Sequence, residues 1–500
     1  MDGAAPPTSK AGGDTSTAPV SGVAHRFVVP PVIAYALVIF FDKLFSFITI
    51  PLMAYYVSPA DYGRYDVALS MLEIVTIIAA LGLTDTLVRF STTAATPEAR
   101  TSAAAELLGV AIILAVTLLI TLQLLAPALM RSWHITLDAT AVRASLATNA
   151  INCLTDMAMV WLRIRDRVRL FVTIAICRIL AFVSATILSL VGGYGVDGIL
   201  LGSSLIGIVS MPIIVSFMVR ETGVTFSPAA ARNVLVYGLP LVASGVCGYA
   251  LSGLSRLFLV ENAPMDAIGL LSLATRLASV VTLLFVPYVL WWGPIRFAVL
   301  QEPGGLGRTS AQWGAGFALL ICAMAFTILA APVVVYLALP AAYVGSLIYL
   351  PGMVLAAALV QLSWLTNVGT YARSNGVAVF TIEVLSAVLA TLGYWLLVPR
   401  YGIAGAIVAL NLALFARCGL HLIVGHTKAP IQYPVVSALL LAVAAFCAIQ
   451  FAPAETQLVA RSAWTLLAMA GMISVAITTG LAGPIVSGLR QAYLGSFLGR

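Results

Sequence analysis

Ten ionisable side chains of this 500-residue chain stand inside long apolar runs: the cations Lys43, Arg178, Arg256, Arg276 and Arg417, and the acids Asp42, Glu73, Asp85, Asp156 and Glu383. An unpaired charge at the centre of a bilayer costs on the order of 3 kcal/mol even on a lenient insertion scale. Each therefore needs a counter-ion, water or an interface. Two chemistries suit these residue types. A guanidinium presents a planar fork that grips two oxygens of a phosphate or carboxylate, and burial favours the protonated form of a carboxylate, which can then carry a proton across. Other chemistries lack their residues. Only three lysines occur, Lys10, Lys43 and Lys428, and none follows a glycine, so no Walker A loop exists. HExxH and GxSxG are missing. The six cysteines, Cys153, Cys177, Cys247, Cys322, Cys418 and Cys447, have neither CxxC nor metal-ligand spacing and read as buried, inert thiols. No cofactor or metal is expected.

The elements that must hold these charges are membrane helices. The chain is 61% hydrophobic and 9% charged, with a mean hydropathy of +1.05, against roughly 45–50% and 25% for soluble domains. Runs such as 107–130 and 462–486 are long enough, at 1.5 Å per residue, to cross a hydrocarbon core about 30 Å thick. Backbone groups in lipid must be satisfied internally, which makes these runs helices. Fourteen spans are predicted, at 29–56, 67–88, 107–130, 144–162, 170–192, 198–219, 233–259, 267–294, 311–336, 341–369, 375–397, 402–424, 433–452 and 463–485. Pro51, Pro212, Pro240, Pro287, Pro332 and Pro351 are candidate kinks. The connecting loops leave no room for a soluble catalytic domain. Residues 1–27, rich in Ala, Pro, Ser, Thr and Gly, read as a disordered cytoplasmic tail without a cleavable signal.

Loop charges set the orientation. With both termini in the cytoplasm, sixteen Lys/Arg fall on that side, among them the run Arg163-Ile-Arg-Asp-Arg-Val-Arg169, and five on the other. That is a positive-inside pattern. The net charge of +7 is thus a topology signal and implies no nucleic-acid partner. Trp291 and Trp292, with Tyr55 and Tyr56, read as interfacial anchors.

The chain also matches itself. Gly193-Tyr-Gly-Val-Asp-Gly198 opens span six as Arg400-Tyr-Gly-Ile-Ala-Gly405 opens span twelve, an offset of 207. Asp61-Tyr-Gly-Arg-Tyr-Asp66 aligns with Ala267-Ile-Gly-Leu-Leu-Ser272, placing Gly63 on Gly269 at an offset of 206. A six-helix unit used twice is the implied architecture, its halves related by an axis along the membrane normal. The expected divisions are the tail 1–27, an N-terminal bundle 28–220, a C-terminal bundle 221–430, and two added helices with a short cytoplasmic tail over 431–500. The fold class is an all-α integral membrane protein.

Several runs together resemble a known family. Ala54-Tyr-Tyr-Val-Ser-Pro-Ala-Asp-Tyr-Gly-Arg-Tyr65, Ala79-Ala-Leu-Gly-Leu-Thr-Asp-Thr-Leu-Val-Arg89, Tyr237-Gly-Leu-Pro-Leu241, Ile268-Gly-Leu-Leu-Ser-Leu-Ala-Thr-Arg-Leu277, Pro294 and Tyr401-Gly-Ile-Ala-Gly-Ala406 occur in the order found in polysaccharide flippases. These belong to the multidrug/oligosaccharidyl-lipid/polysaccharide exporter superfamily. The resemblance covers almost the whole chain. It implies translocation of an undecaprenyl-pyrophosphate-linked oligosaccharide across the bacterial inner membrane by alternating access, feeding O-antigen or exopolysaccharide assembly. Membrane lipids, a polysaccharide polymerase and chain-length machinery would be its partners. One departure stands out: many relatives carry an acid before the basic residue late in span seven, whereas Ser255 precedes Arg256 here. An ion pair at that site is not expected from the motif.

Under that resemblance the intramembrane cations acquire roles. Lys43, about 21 Å along span one, Arg178 and Arg276 are the leading ligands for a pyrophosphate, followed by Arg256. Glu73, Glu383 and Asp42 are the candidates for ion coupling. The alternative for each is an ion pair within the bundle. Asp85 and Arg89, spaced i,i+4, read as a structural pair, and Arg417 as a side chain that snorkels to the headgroups. The rival functions are a peptidoglycan lipid II flippase, a multidrug antiporter of the same superfamily, and a membrane polysaccharide polymerase or ligase.

Overall fold

The computed structural model describes residues 38, 45, 49–93, 96–132, 136–372 and 376–484. Helical residues 49–56 lead into α1 (Pro59–Ala80) and α2 (Leu83–Thr92). The N-terminal bundle continues with α3 (Pro97–Ser132), α4 (Ala139–Ile164), α5 (Val168–Val191) and α6 (Gly195–Thr222). The second set comprises α7 (Pro228–Ser252), α8 (Ser255–Asn262), α9 (Met265–Trp292), α10 (Arg296–Gln301), α11 (Gly305–Ala338), a 3-10 turn over Ala341–Ile348, α12 (Leu350–Thr366), α13 (Val368–Tyr371) and α14 (Val377–Lys428). The hairpin α15 (Val435–Gln450) and α16 (Leu458–Thr478) completes it. Ten helical stretches among the described residues are long and apolar enough to cross a membrane, and α4 and the shorter α15 accompany them. The fold is all-helical, with about fourteen spans.

Local chemistry sets the helix ends. Ser58 accepts the Asp61 N–H at 3.2 Å to start α1, and Asp61 pairs with Arg64 at 2.9 Å. Asp138 accepts the Ala141 N–H to start α4. The long element α14 is two crossings joined at Gly402, whose φ of 54° and ψ of −129° only glycine adopts without strain. This is the Tyr-Gly motif seen in the sequence. Below, the end carrying the Arg163–Arg169 loop is termed the basic end and the opposite end the outer end.

α4 packs on α3 and α6, and α6 on α5; α12 packs on α9, α11 and α14. A separate apolar cluster around Leu441, Met472 and Ala476 seats the hairpin on α11. Arg461 of α16, only 7% exposed, completes that seat by donating to the carbonyls of Leu329 (3.1 Å), Ile328 (3.5 Å) and Pro453 (2.8 Å). Pro332 explains the need. It has no N–H to offer the Ile328 carbonyl four residues back, and Arg461 supplies the missing donor.

The two bundles meet most extensively along α1 and α9. At their outer ends the backbones touch. A Cβ added at Gly63 would lie 2.1 Å from the Met265 carbonyl oxygen, and one at Gly269 would lie 1.9 Å from that of Pro59. These glycines are the pair that the internal duplication superposes. Residues related by a two-fold axis contact one another only where they lie beside it, so the seam between the bundles runs along the repeat axis. Tyr343, edge-on to Tyr62, donates to the Val57 carbonyl at 2.7 Å and covers this outer end.

Several sequence expectations change. Trp292, the last residue of α9, is buried in the main apolar core, 2% exposed, because it faces into the bundle; Trp291, at 51%, keeps an exposed position. Cys177 and Cys447 are exposed and Cys247 half-buried, since their helices lie on the periphery, so only Cys153, Cys322 and Cys418 are buried thiols. Asp85 and Arg89 do not pair: Arg89 lies over the Tyr237 ring at 4.2 Å, while Asp85 lines a cleft described below.

Candidate functional site

The outer half of the seam holds a charged cluster built from both bundles. α1 brings Tyr62, Tyr65, Asp66, Ser70 and Glu73 to it. The second bundle contributes Ser252, Ser255, Arg256, Thr275 and Arg276 from α7, α8 and α9. Gly253 and Leu254 break α7 from α8, which turns Arg256 inward, 6% exposed. Its Nε donates to Asp66 Oδ2 at 3.0 Å, Nη1 to the Ser252 carbonyl (3.3 Å) and Ser255 Oγ (3.1 Å), and Nη2 to Thr275 Oγ1 (3.4 Å). The Asp66–Arg256 ion pair therefore joins the two bundles. Arg276 stands over the Tyr62 ring, 5.2 Å from its centroid, within electrostatic reach of Tyr65 and Asp66. Ser70 Oγ donates to the Gly253 carbonyl at 2.8 Å, and Ser252 Oγ to Glu73 Oε1 at 3.1 Å.

An apolar cleft of about 550 Å³ opens beside this cluster between α1, α7 and α14, lined by Ile74, Val246, Tyr249, Leu254, Val388 and Leu392 among others. Ile74 follows Glu73, so the charged set and the apolar wall are contiguous. Together they suit an amphiphile whose anionic head needs guanidinium partners and whose tail needs a dry surface.

The sequence candidates divide among three places. Arg256, Arg276 and Glu73 meet at the seam. Glu383 and Arg417 pair inside the second bundle, within α14 across the Gly402 bend, both largely buried; Glu383 thus makes the ion pair that was the alternative to coupling, and Arg417 turns inward instead of snorkelling, because a carboxylate is within reach. Arg178 lies in the first bundle, in a cleft of about 480 Å³ with Thr84, Asp85, Asp156, Arg163 and Phe171. Lys43 and Asp42 lie outside the described residues.

Sequence reasoning missed Asp66. The hydropathy onset put the start of span two at 67, whereas the Ser58 cap starts the helix at Pro59 and carries Asp66 two turns into it. The signal was there: Asp66 closes the Asp61-Tyr-Gly-Arg-Tyr-Asp run, and Arg256 had no acid beside it. An aspartate at one repeat seam and an arginine without a local partner were the two halves of one bridge.

Comparison with known proteins agrees with this architecture. A family model described as "Polysaccharide biosynthesis protein" matches residues 29–295, more than half of the chain. No curated protein matches. Among solved structures, the chain is similar to a lipid II flippase, MurJ, in an inward closed conformation, with a TM-score of 0.70 and 14% identity over 89% of this chain and 98% of that one. It is also similar to an inward-facing multidrug resistance MATE family transporter of the MOP superfamily, with a TM-score of 0.61 and 15% identity over 80% of this chain and 98% of that one. An outward-facing MATE structure aligns with a TM-score of 0.58 and 16% identity, covering 80% and 95%. At these identities the likeness is one of fold.

Proposed function

The chain belongs to the polysaccharide biosynthesis protein family, and from that premise we propose that it is a flippase for an undecaprenyl-pyrophosphate-linked oligosaccharide. It works in the bacterial inner membrane with both termini in the cytoplasm, serving O-antigen or exopolysaccharide assembly beside a polymerase and chain-length machinery. It performs no covalent step on its cargo. The bundles 28–220 and 221–430 are its moving parts, with 431–500 riding on the second.

The observation that carries this reading is the Asp66–Arg256 bridge with Arg276 beside it, placed between the bundles and next to an apolar wall. A pyrophosphate oxygen competes with Asp66 for the Arg256 fork, because phosphate makes the same charge-assisted, bidentate bonds to a guanidinium as a carboxylate does. Exchange of partners loosens the seam, so the contact of α1 with α9 at Gly63 and Gly269 can part. Glu73, hydrogen-bonded to Ser252 across the seam, is the acid we assign to ion coupling in the return step. Alternating access then follows from which end of the seam is shut. Cationic cargo of the multidrug type fits a seam with one buried and one half-buried arginine poorly.

The test is transport in proteoliposomes. Purified protein should move a fluorescent polyprenyl-pyrophosphate-linked oligosaccharide between leaflets, and R276A should lower the rate at least tenfold. Gly63→Leu should do the same while raising the labelling of cysteines introduced at the outer end, because its side chain wedges α1 from α9. Lipid II run as parallel cargo separates the peptidoglycan alternative. Equal rates with R276A and wild type would sink the reading.

A further inference from the structure

The cleft that holds Arg178 is a second charged hollow, separate from the seam. It is walled by Thr84, Asp85 and Val88 of α2, by Asp156, Met159, Val160 and Arg163 of α4, and by Phe171 and Arg178 of α5. Arg178 lies ten residues from the basic end of α5, about 15 Å deep, and Asp156 eight residues from that end of α4, about 12 Å deep. The hollow thus descends from the basic end to near mid-membrane, and its volume of about 480 Å³ is within the roughly 300–1,000 Å³ typical of small-ligand sites.

Its charges close into no ion pair among the described residues, although Arg163 lies over the Phe171 ring at 5.8 Å and Arg178 over that of Phe182 at 5.6 Å. Among the described residues neither Asp85 nor Asp156 forms an ion pair with Arg163 or Arg178, the Arg178 Nε is buried without a partner, and Asp156 accepts only from Asn152 at 3.3 Å. The basic loop at the rim differs: Glu221 holds Arg167 at 2.6 Å and Arg165 at 3.7 Å and accepts from the Trp161 indole at 3.0 Å. The second bundle offers a further contrast. The repeat offset of 206 carries Arg178 onto Val384, next to Glu383, and there the charge is already closed by Arg417. Among the described residues, the hollow of the first bundle keeps its four charges without an ion pair, in contrast to the closed pair of the second.

We propose that this hollow is the receiving site where the sugar-phosphate head of the cargo docks from the cytoplasm before it enters the seam. The proposal rests on the flippase reading. Arg163 and Arg178 take phosphate oxygens, while Asp85 and Asp156 accept hydroxyls of the first sugar. Two guanidinium groups with two carboxylates match a glycosyl phosphate, which offers anionic oxygens at one end and O–H donors at the other. A bare phosphate would need no carboxylate.

The experiment uses full-length protein in detergent and three probes: inorganic pyrophosphate, farnesyl pyrophosphate, and farnesyl pyrophosphate carrying a disaccharide. Calorimetric titration should show R178Q weakening the two prenyl probes at least tenfold, with Arg178→Lys restoring most of the affinity and so excluding misfolding. Asp156→Asn should weaken the glycosylated probe about fivefold and leave farnesyl pyrophosphate unchanged. Wild-type transport together with unaltered affinities in R178Q and D156N would overturn the receiving site and leave the flippase reading standing. Failure of wild type to move any polyprenyl-linked glycan would overturn both.

Discussion

Two buried ion pairs of this protein differ in what they join. Glu383 and Arg417 lie within one bundle, whereas Asp66 and Arg256 come from different bundles. Under the proposed alternating access the first pair holds in every state in which its bundle is folded, and the second changes partners when the bundles part. Burial is similar and both are Arg–carboxylate pairs, so residue type cannot tell them apart. What would separate a structural from a mechanistic charge under that proposal is its position relative to the moving surface.

Substitutions test this distinction, the largest effect first. Arg256→Ala leaves Asp66 in the seam without its cation. Removing one partner of a buried pair costs about 3–5 kcal/mol, so a lowered thermal unfolding midpoint and loss of transport are expected. The double variant Asp66→Ala/Arg256→Ala should recover much of the stability but none of the transport. Recovery of transport in the double variant would make the seam pair merely structural. Breaking the other pair with Glu383→Ala should cost less, about 1–3 kcal/mol for a partly solvated partner. Here the exchange Glu383→Arg/Arg417→Glu should restore stability and transport together, because a pair within one body has no step to perform. A rescued fold with dead transport would instead assign Glu383 to coupling. Arg461→Met supplies the smallest effect. It strands the Ile328 and Leu329 carbonyls beside Pro332, at about 1–2 kcal/mol, and transport measured per folded molecule should be unchanged.

Much of the fold was legible because lipid leaves few options. Apolar runs of fixed length must be helices, and the Tyr-Gly motif located the bend at Gly402. The duplication proved more informative than its short matches promised, since Gly63 and Gly269, aligned in sequence, touch in space. The candidate site was legible only in part. Arg256 and Arg276 were recognised as charges needing a reason, yet the reason for Arg256 is Asp66, 190 residues away. Hydropathy placed Asp66 in a loop because a window average registers where apolar residues begin and not where a cap starts the helix. Arg178 was grouped with Arg276 on charge alone, and the fold puts them in different hollows.

The chain alone determined that the protein lives in a bilayer as a set of helices, since that follows from the local cost of exposing polar backbone to hydrocarbon, and its internal matches disclosed two like halves. Which charge meets which was decided only by the tertiary structure. Pairing depends on the rotation and tilt of helices far apart in sequence, and packing between bundles, more than any local preference, sets those angles.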